Sequence, residues 1–333
     1  MRWLRYLLYG LLSLVFLYAV LPYVLPRGTP SIEIPAQPFV DSQWRTLDSV
    51  RWHFRLDEPF GLQSTPQTVL MVHGFGGSTA NFESTSKALY AANYRVLRID
   101  LPAFGYSTRG PMPADELAQL WQIADDMGMG QASFQPIVLL GHSMGAGVVS
   151  RMAALHPERV RALVLVNGGL RMGERGGSLW SQLLVGLPPS QQWVDWYARR
   201  SLFTPEHTAE LLRSARGNEP SAADIEAYLK PLTVAGTAPA ILGRMLKPQA
   251  AAQAEALTMP VLILWGEKDQ WVPLRAGEAA REKLPHSEWV VIEGAGHLPM
   301  ETHAAEFERS LLDFLGRVAP TSVPREPAKG QVE

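Results

Sequence analysis

One serine stands in a sequence context that could make it a nucleophile. Ser143 is the centre of the motif Gly-His-Ser-Met-Gly at 141–145, which follows an apolar run and precedes small residues with helical periodicity. A strand, a tight turn and a helix with a serine at the apex are the layout of a nucleophile elbow. The strained apex needs very small residues two positions to either side, and Gly141 and Gly145 meet that need. Because ordinary glycine-rich turns share this pattern, the chemistry depends on partners elsewhere in the chain.

Two later loops supply a base and an acid for this serine. His297 and Asp269 each follow a short apolar run that reads as a strand, so both lie at strand ends. A serine hydroxyl becomes nucleophilic when a histidine takes its proton and an acid orients the imidazole. The chain order Ser143, Asp269, His297 is the order expected when the carboxyl ends of a parallel sheet carry all three. We predict these three as the catalytic residues, with Glu267 as a competing acid.

An acyl-transfer transition state also needs two hydrogen-bond donors for its oxyanion. The backbone N–H of Met144, directly after the serine, is one predicted donor. The N–H of Phe75, in the His-Gly-Phe-Gly-Gly segment at 73–77, is the second. We interpret His73 as a residue that braces this loop, because His297 already fills the role of base. We expect His142 to lie inside the elbow and to point away from its apex.

The elements that must position these residues alternate along the chain. The segment 42–56 has the pattern of an opening hairpin. Strands are predicted at 68–72, 95–100, 136–140, 161–166, 260–265 and 289–292, and helices at 78–94, 113–127, 144–155 and 302–318. Strands that alternate with helices at this spacing indicate βαβ units and a mostly parallel sheet.

A long insertion separates two of the predicted strands. About 90 residues between Asn167 and Val261 carry no strong strand signal, which is too long for a simple connection and predicts a cap over the site. Helical patches are predicted at 178–187, 191–201, 205–216 and 222–232. The residues that could line an apolar pocket, or could simply hold the cap together, are Trp180, Leu183, Leu184, Trp193, Trp196, Tyr197, Phe203, Met245 and Leu246.

The N-terminal segment is apolar enough to interact with a membrane. No charged residue occurs from Tyr6 to Pro26, about the 20 residues that a helix needs to cross a bilayer. We predict an uncleaved single-pass anchor; a cleaved signal peptide and a buried core helix are the alternatives. Arg2 and Arg5 precede the run and only Arg27 directly follows it, which favours a cytoplasmic N-terminus and a catalytic domain on the non-cytoplasmic side.

Composition narrows the remaining classes. The chain has 333 residues, a formal net charge of −2 and 47% hydrophobic residues, enough for one large α/β domain with an inserted cap. The near-neutral charge and the absence of long basic runs give no support for nucleic-acid binding. The sequence contains no cysteine, which excludes disulfides, thiolate metal sites and a cysteine nucleophile.

Together these motifs resemble those of the α/β-hydrolase superfamily, in its serine esterase and lipase-like branch with a helical cap. The resemblance covers residues 43–318, and it implies an eight-stranded, mostly parallel sheet, with the cap after the sixth strand. It also implies no metal and no organic cofactor. The motifs that carry it are His-Gly-Phe-Gly-Gly at 73–77, Asp-Leu-Pro-Ala-Phe-Gly-Tyr-Ser at 100–107, Gly-His-Ser-Met-Gly at 141–145, Gly-Glu-Lys-Asp-Gln-Trp-Val-Pro at 266–273 and Gly-Ala-Gly-His-Leu-Pro-Met-Glu at 294–301.

The superfamily leaves more than one reaction open. A serine nucleophile sets this chain apart from the branches that use aspartate. The carbon–carbon bond hydrolases of aromatic-ring degradation share the triad but typically carry tryptophan after the catalytic histidine, where this chain has Leu298. Our leading hypothesis is therefore a membrane-anchored serine hydrolase that cleaves a hydrophobic carboxylic ester. The alternatives are a carbon–carbon bond hydrolase of the meta-cleavage type and a non-catalytic ligand-binding protein on the same fold.

The predicted domain organisation and partners follow from these segments. The expected partners are a small hydrophobic ester and, through the N-terminal helix, membrane lipid, and the oligomeric state stays open. The predicted units are an anchor over 1–27, a tether over 28–42, the first part of the hydrolase core over 43–168, the cap over 169–258, the second part of the core over 259–318 and a disordered tail over 319–333.

Overall fold

The computed structural model describes residues 2–59, 66–110, 112–129, 135–170, 177–248 and 250–321. The strands are β1 (Ser42–Leu47), β2 (Val50–Asp57), β3 (Thr68–Val72), β4 (Arg95–Ile99), β5 (Ile137–His142), β6 (Val160–Val166), β7 (Val261–Gly266) and β8 (Glu288–Ile292). The helices are α1 (Arg2–Val24), α2 (Glu83–Ala91), α3 (Glu116–Asp126), α4 (Met144–Leu155), α5 (Leu179–Gly186), α6 (Pro188–Tyr197), α7 (Pro205–Arg216), α8 (Ala222–Leu232), α9 (Thr237–Leu246), α10 (Leu274–Lys283), α11 (Pro299–Thr302) and α12 (Ala304–Val318).

The eight strands form a single sheet in the order β1-β2-β4-β3-β5-β6-β7-β8. The β1–β2 and β2–β4 pairs are antiparallel, and every pair from β4–β3 to β7–β8 is parallel. The predicted hairpin and the predicted mostly parallel sheet are both confirmed. In the parallel part the carboxyl ends of β5, β7 and β8 open on one edge, which is where the candidate residues follow.

Helices cover both faces of the sheet because its central strands are apolar on both sides. Every residue of β3, β5 and β7 is buried. Trp52 and Trp265 are fully buried in the core on one face. On the other face, α12 packs Phe307, Leu311 and Phe314, whose spacing places them on one side of a helix.

In the described residues between β6 and β7, five helices, α5 to α9, form what we call the cap. The four predicted helical patches correspond to α5, α6, α7 and α8, whereas α9 was not predicted. Its pattern is interrupted by Pro239 in the first turn, where proline is tolerated, and by Gly243 in its interior. After α6 the chain continues as a π-helical turn over Ala198–Leu202.

The N-terminal segments are connected to the cap. Among the described residues, α1 is the helix that is long and apolar enough to cross a membrane. The segment after it is extended but held in place, since the Thr29 N–H donates to the Arg199 carbonyl and Ile32 bridges to Val234. At the other end, Ala319 is buried; most of the predicted disordered tail, 322–333, lies outside the described residues.

Candidate active site

Ser143 lies at the apex of the turn between β5 and α4, in a strained backbone conformation. Its φ of 51° and ψ of −114° are unusual for a residue with a side chain. The turn is possible because of the glycines beside it. A Cβ on Gly141 would lie 2.5 Å from the Gly145 carbonyl oxygen, and one on Gly145 would lie 2.2 Å from the Val72 carbonyl oxygen. The Ser143 N–H donates to the Val166 carbonyl at 2.9 Å, which holds the apex against β6.

His297 and Asp269, each in the loop after its strand, are brought into contact. The distance from His297 Nδ1 to Asp269 Oδ2 is 2.7 Å, and both residues are buried. Burial alone would raise the pKa of Asp269, but the hydrogen bonds it accepts from His297, Asn167 and the Val272 N–H outweigh this effect, so the pKa lies below its usual value. The ionised carboxylate can only accept, so Nδ1 carries the proton and Nε2 is left as the basic nitrogen.

The competing acid has a different role. A carboxylate oxygen of Glu267 accepts the Gly294 N–H at 2.9 Å and braces the loop that leads to His297. The orienting contact with His297 therefore comes from Asp269.

Asn167, at the end of β6, contacts this pair and was missed by the sequence analysis. Its side-chain N–H₂ donates to Asp269 Oδ2 at 2.5 Å and to the Gly296 carbonyl at 3.2 Å. Its side-chain oxygen accepts the Gly266 N–H at 3.1 Å. The buried amide thus joins three strand ends, and its φ of 44° is one that asparagine tolerates better than most residues.

His142 connects the elbow to the histidine loop. Its Nε2 lies 2.8 Å from the His297 carbonyl oxygen, and the two rings are 4.8 Å apart. Burial, reinforced by the nearby His297, lowers the pKa of His142 to about 3, so it is neutral and donates this bond. Among the described residues, no hydrogen bond joins the Ser143 hydroxyl to His297. Such bonds are often loose in a free enzyme and tighten only when substrate binds.

The two predicted oxyanion donors lie on either side of the serine. Met144 is the first residue of α4, where amide N–H groups have no partner within the helix. The loop that carries Phe75 lies against the elbow, because a Cβ on Gly74 would be 3.1 Å from Ser143 Cβ. No hydrogen bond to either amide is recorded within the described parts of the chain. Their role as oxyanion donors stays a prediction.

His73 braces the loop, as the sequence analysis proposed. Its Nδ1 lies 2.7 Å from the Gly74 carbonyl oxygen, and its Nε2 accepts the Leu101 N–H at 3.0 Å. Burial lowers the pKa of His73 and keeps it neutral. With both nitrogens engaged, His73 is not available as a base.

A large apolar cavity of about 1010 Å³ lies between the cap and the sheet edge. Gly74, Phe75, His142 and His297 line the part of the cavity nearest to Ser143. Ser143 and Met144 do not themselves line the cavity. The predicted pocket residues that do line it are Trp193, Trp196, Tyr197, Phe203 and Met245.

The rest of the predicted pocket set is located elsewhere. Trp180, Leu183 and Leu184 on α5 do not line the cavity, so the pocket alternative is not borne out for these three residues. Their side chains are exposed, at 76%, 55% and 58%. Leu246 is likewise not a lining residue. An apolar pattern alone does not distinguish a helix face that points into a cavity from one that points outwards.

The cap also holds the loop of the candidate base. Trp271 stacks on His297 with ring centres 5.3 Å apart, and its indole N–H donates to Ser214 of α7 at 3.0 Å. The His297 N–H donates to the Ala215 carbonyl at 2.6 Å. The two hydrogen bonds to α7 join residues more than 50 positions apart, and no local sequence pattern predicts them.

The chain matches the family described as an alpha/beta hydrolase fold over residues 67–304. A 2-hydroxy-6-oxononadienedioate/2-hydroxy-6-oxononatrienedioate hydrolase of Cupriavidus pinatubonensis is 28% identical over 264 residues, which are 75% of this chain and 87% of that protein. A protein of the same description from Pseudomonas putida is 29% identical over 270 residues, with 75% of this chain and 87% of that protein covered.

Solved structures share the fold at lower identity. A probable hydrolytic enzyme of Pseudomonas aeruginosa PAO1 has a TM-score of 0.66 and 22% identity, covering 86% of this chain and 99% of that one. A structure described as a membrane phospholipase A, a bacterial virulence factor, has a TM-score of 0.64 and 23% identity, covering 95% of this chain and 98% of that one. At these identities the likeness is one of fold.

Proposed function

Since this chain belongs to the α/β-hydrolase fold family, we propose that it is a membrane-anchored serine hydrolase that cleaves a carboxylic ester of a hydrophobic substrate. The observation that carries the proposal is the buried Asp269–His297 pair, whose histidine lines an apolar cavity together with His142, the residue before the strained Ser143. An activated serine needs an oriented base, and an apolar cavity beside it would accept a hydrophobic substrate.

In the proposed mechanism, Ser143 Oγ attacks the ester carbonyl while His297 Nε2 takes its proton. Asp269 holds the imidazole in the required tautomer and stabilises its positive form. The N–H groups of Phe75 and Met144 stabilise the oxyanion. His297 then protonates the departing alcohol, and water, activated by the same histidine, releases the acid from Ser143.

The chemistry of the cavity supports an apolar ester. Among the described residues that line it there is no lysine or arginine, and the cap contributes Trp193, Trp196, Phe203 and other apolar side chains. A long acyl or alkyl group would find complementary surface there.

The second candidate is carbon–carbon bond hydrolysis, favoured by the names of the relatives at 28–29% identity. Those names describe substrates with two carboxylates. A dianion entering this cavity would meet no lysine or arginine among the described lining residues, and burying an unpaired charge is unfavourable. The residue after His297 is Leu298, whose side chain is apolar and also lines the cavity. These observations rank ester hydrolysis first.

A substrate panel tests the proposal. Full-length protein in detergent is assayed on p-nitrophenyl esters of increasing acyl length and on a meta-cleavage product, with Ser143→Ala as the control. We expect turnover of apolar esters and a loss of at least about 10³-fold in the variant. Hydrolysis of the diketone without ester turnover would favour the second candidate. Unchanged ester turnover in Ser143→Ala would contradict both.

Contacts between the N-terminal segment and α6 support the anchor, because cleavage of a signal peptide would remove them. The Trp193 and Trp196 indoles donate to the carbonyls of Tyr18 and Pro26, each at 3.0 Å, and Arg27 donates to Gln192 at 2.9 Å. We propose that α1 stays attached and that the catalytic domain lies on the non-cytoplasmic side. Intact mass of the membrane-extracted protein should include residues 2–27; a mass that begins after them would contradict this.

A further inference from the structure

The outer surface of α5 is apolar and uncovered. Its exposed side chains, together with the residue that follows it, form what we call the α5 patch: Leu179, Trp180, Leu183, Leu184 and Leu187, with exposures of 71%, 76%, 55%, 58% and 46%. None of these described residues lines the cavity. A large, contiguous apolar surface exposed on a folded protein marks a site that contacts a membrane or another protein.

The position of α6 relative to α1 gives the depth of this patch. Tyr18 of α1 contacts Ser190 near the start of α6 and Trp193 in its middle, whereas Pro26 contacts Trp196 near its end. The two helices therefore run in the same direction, side by side. At about 1.5 Å per residue, Tyr18 lies about 9 Å before the end of α1 at Val24. The start of α6 is thus level with the apolar length of α1.

The α5 patch adjoins that same level. Leu187 is the residue that joins α5 directly to α6, and it lies next to the end of α6 that meets Tyr18. Charged groups lie away from this end: Arg27 follows α1 and binds Gln192 in the middle of α6, and Arg200 is exposed beside Trp196, beyond the middle of α6. Apolar residues at one level, with tryptophan and arginine at the next, follow the profile of a bilayer from acyl chains to headgroups.

We propose that α5 and Leu187 are embedded in the acyl region of the lipid leaflet beside α1, and that the cavity receives its substrate from that leaflet. The cap links the two, because Trp193 and Trp196 line the cavity on α6 while their indoles contact α1. Met245 lines the cavity on α9, is 61% exposed, and belongs to the helix on which α5 packs. The occupant of the patch is phospholipid acyl chain, and the substrate is a lipid ester. This inference rests on the anchored ester hydrolase proposed above.

The absence of cysteine from the sequence permits a direct test in the full chain. We label three single-cysteine variants with an environment-sensitive fluorophore. They are Leu183→Cys in the α5 patch, Leu12→Cys within α1 and Glu282→Cys at an exposed position of α10. Each is reconstituted into vesicles of phosphatidylcholine and phosphatidylglycerol with nitroxide on the acyl chains. We expect apolar emission and nitroxide quenching for the labels at 183 and 12, and aqueous, unquenched emission for the label at 282.

Three results would overturn the inference. Aqueous emission at 183 with quenching at 12 would leave the anchor in place and remove the patch from the leaflet. Apolar emission at 183 without nitroxide quenching would show that a second copy of the chain covers it. Aqueous emission at both positions would remove the anchor and the inference together. Hydrolysis of a soluble short ester is measured in the same samples, so failure of the proposed function is distinguished from each of these.

A second comparison tests substrate entry. Leu183→Asp is compared with Leu155→Asp. Leu155 is an exposed leucine at the end of α4, in the hydrolase domain and away from the cap, so this control adds the same charge elsewhere on the surface. We expect Leu183→Asp to lower the rate on a long-chain ester dissolved in vesicles about tenfold. Its rate on a soluble short ester should stay unchanged, which also shows that it folds. Leu155→Asp should alter neither rate; equal vesicle rates for the two variants would overturn entry from the leaflet.

Discussion

Replacing Asn167 should loosen the acid–base pair and the fold together. Asn167→Ala removes two donors, to Asp269 and the Gly296 carbonyl, and the acceptor of the Gly266 N–H. Because these groups are buried, each one left unpaired costs about 1–3 kcal/mol. The φ of 44° adds about 1 kcal/mol for alanine. Asp269 keeps its contacts with His297 and with the Trp271 and Val272 N–H groups, so two groups are left unpaired, and we expect the free energy of unfolding to fall by about 3–7 kcal/mol.

Asn167→Gly is the matched control for the backbone. It removes the same three hydrogen bonds, but glycine adopts a positive φ without the steric penalty, so it should lose about 1 kcal/mol less than the alanine variant. Urea unfolding of the full-length protein in detergent measures both. The midpoint should shift by about 1 M for Asn167→Ala. Equal midpoints for the two variants would refute the backbone contribution, and a wild-type midpoint in both would refute the role of the hydrogen bonds.

The same variants should change the response to acid. The pKa of Asp269 is below its usual value, so its ionised form stabilises the fold at pH values above the unfolded pKa, and this stabilisation is lost as pH falls through the folded pKa. Asn167 is one of the donors that lower this pKa. Its removal should move the acid-unfolding midpoint to higher pH and lower kcat by up to about 100-fold, through misplacement of His297. An unchanged acid midpoint would contradict this link.

Three other substitutions test the rest of the site. Asp269→Asn should lower kcat on a short ester about 10⁴-fold with little change in KM, because the amide holds the wrong imidazole tautomer; a loss under about tenfold would assign another acid. Gly145→Ala should greatly reduce the yield of folded protein, because its Cβ would lie 2.2 Å from a β3 carbonyl oxygen, and a normal circular dichroism melting curve would contradict that. Trp271→Ala should lower kcat about tenfold more than Trp271→Phe, which keeps a ring on His297; equal rates would show that stacking does not position the base.

The parts of the site that are encoded locally could be predicted from the sequence. The elbow glycines, the strand that precedes each loop and the order of Ser143, Asp269 and His297 are all properties of short segments. They follow from the backbone needs of a tight turn and from the geometry of a parallel sheet. The sheet and its hairpin were predictable for the same reason, since the parallel strands are distinct apolar runs and the hairpin strands alternate polar and apolar residues.

The contacts between distant segments could not be predicted. Asn167 carries no motif, and its role arises only when the ends of three strands meet. The outward orientation of α5 was missed because Trp180 and Leu183 are equally consistent with a pocket wall. Which way an apolar helix face points depends on the packing of its neighbours, here α6 and α9.

Covalent labelling tests the central claim, that Ser143 carries the acyl group, most directly. Full-length protein in detergent is treated with a fluorophosphonate, digested and analysed by mass spectrometry. We predict a single adduct on Ser143, absent from Ser143→Ala and from unfolded protein, and slower to form in Asp269→Asn. Folded protein that hydrolyses esters but carries no adduct on Ser143, or carries it on another residue, would contradict the account.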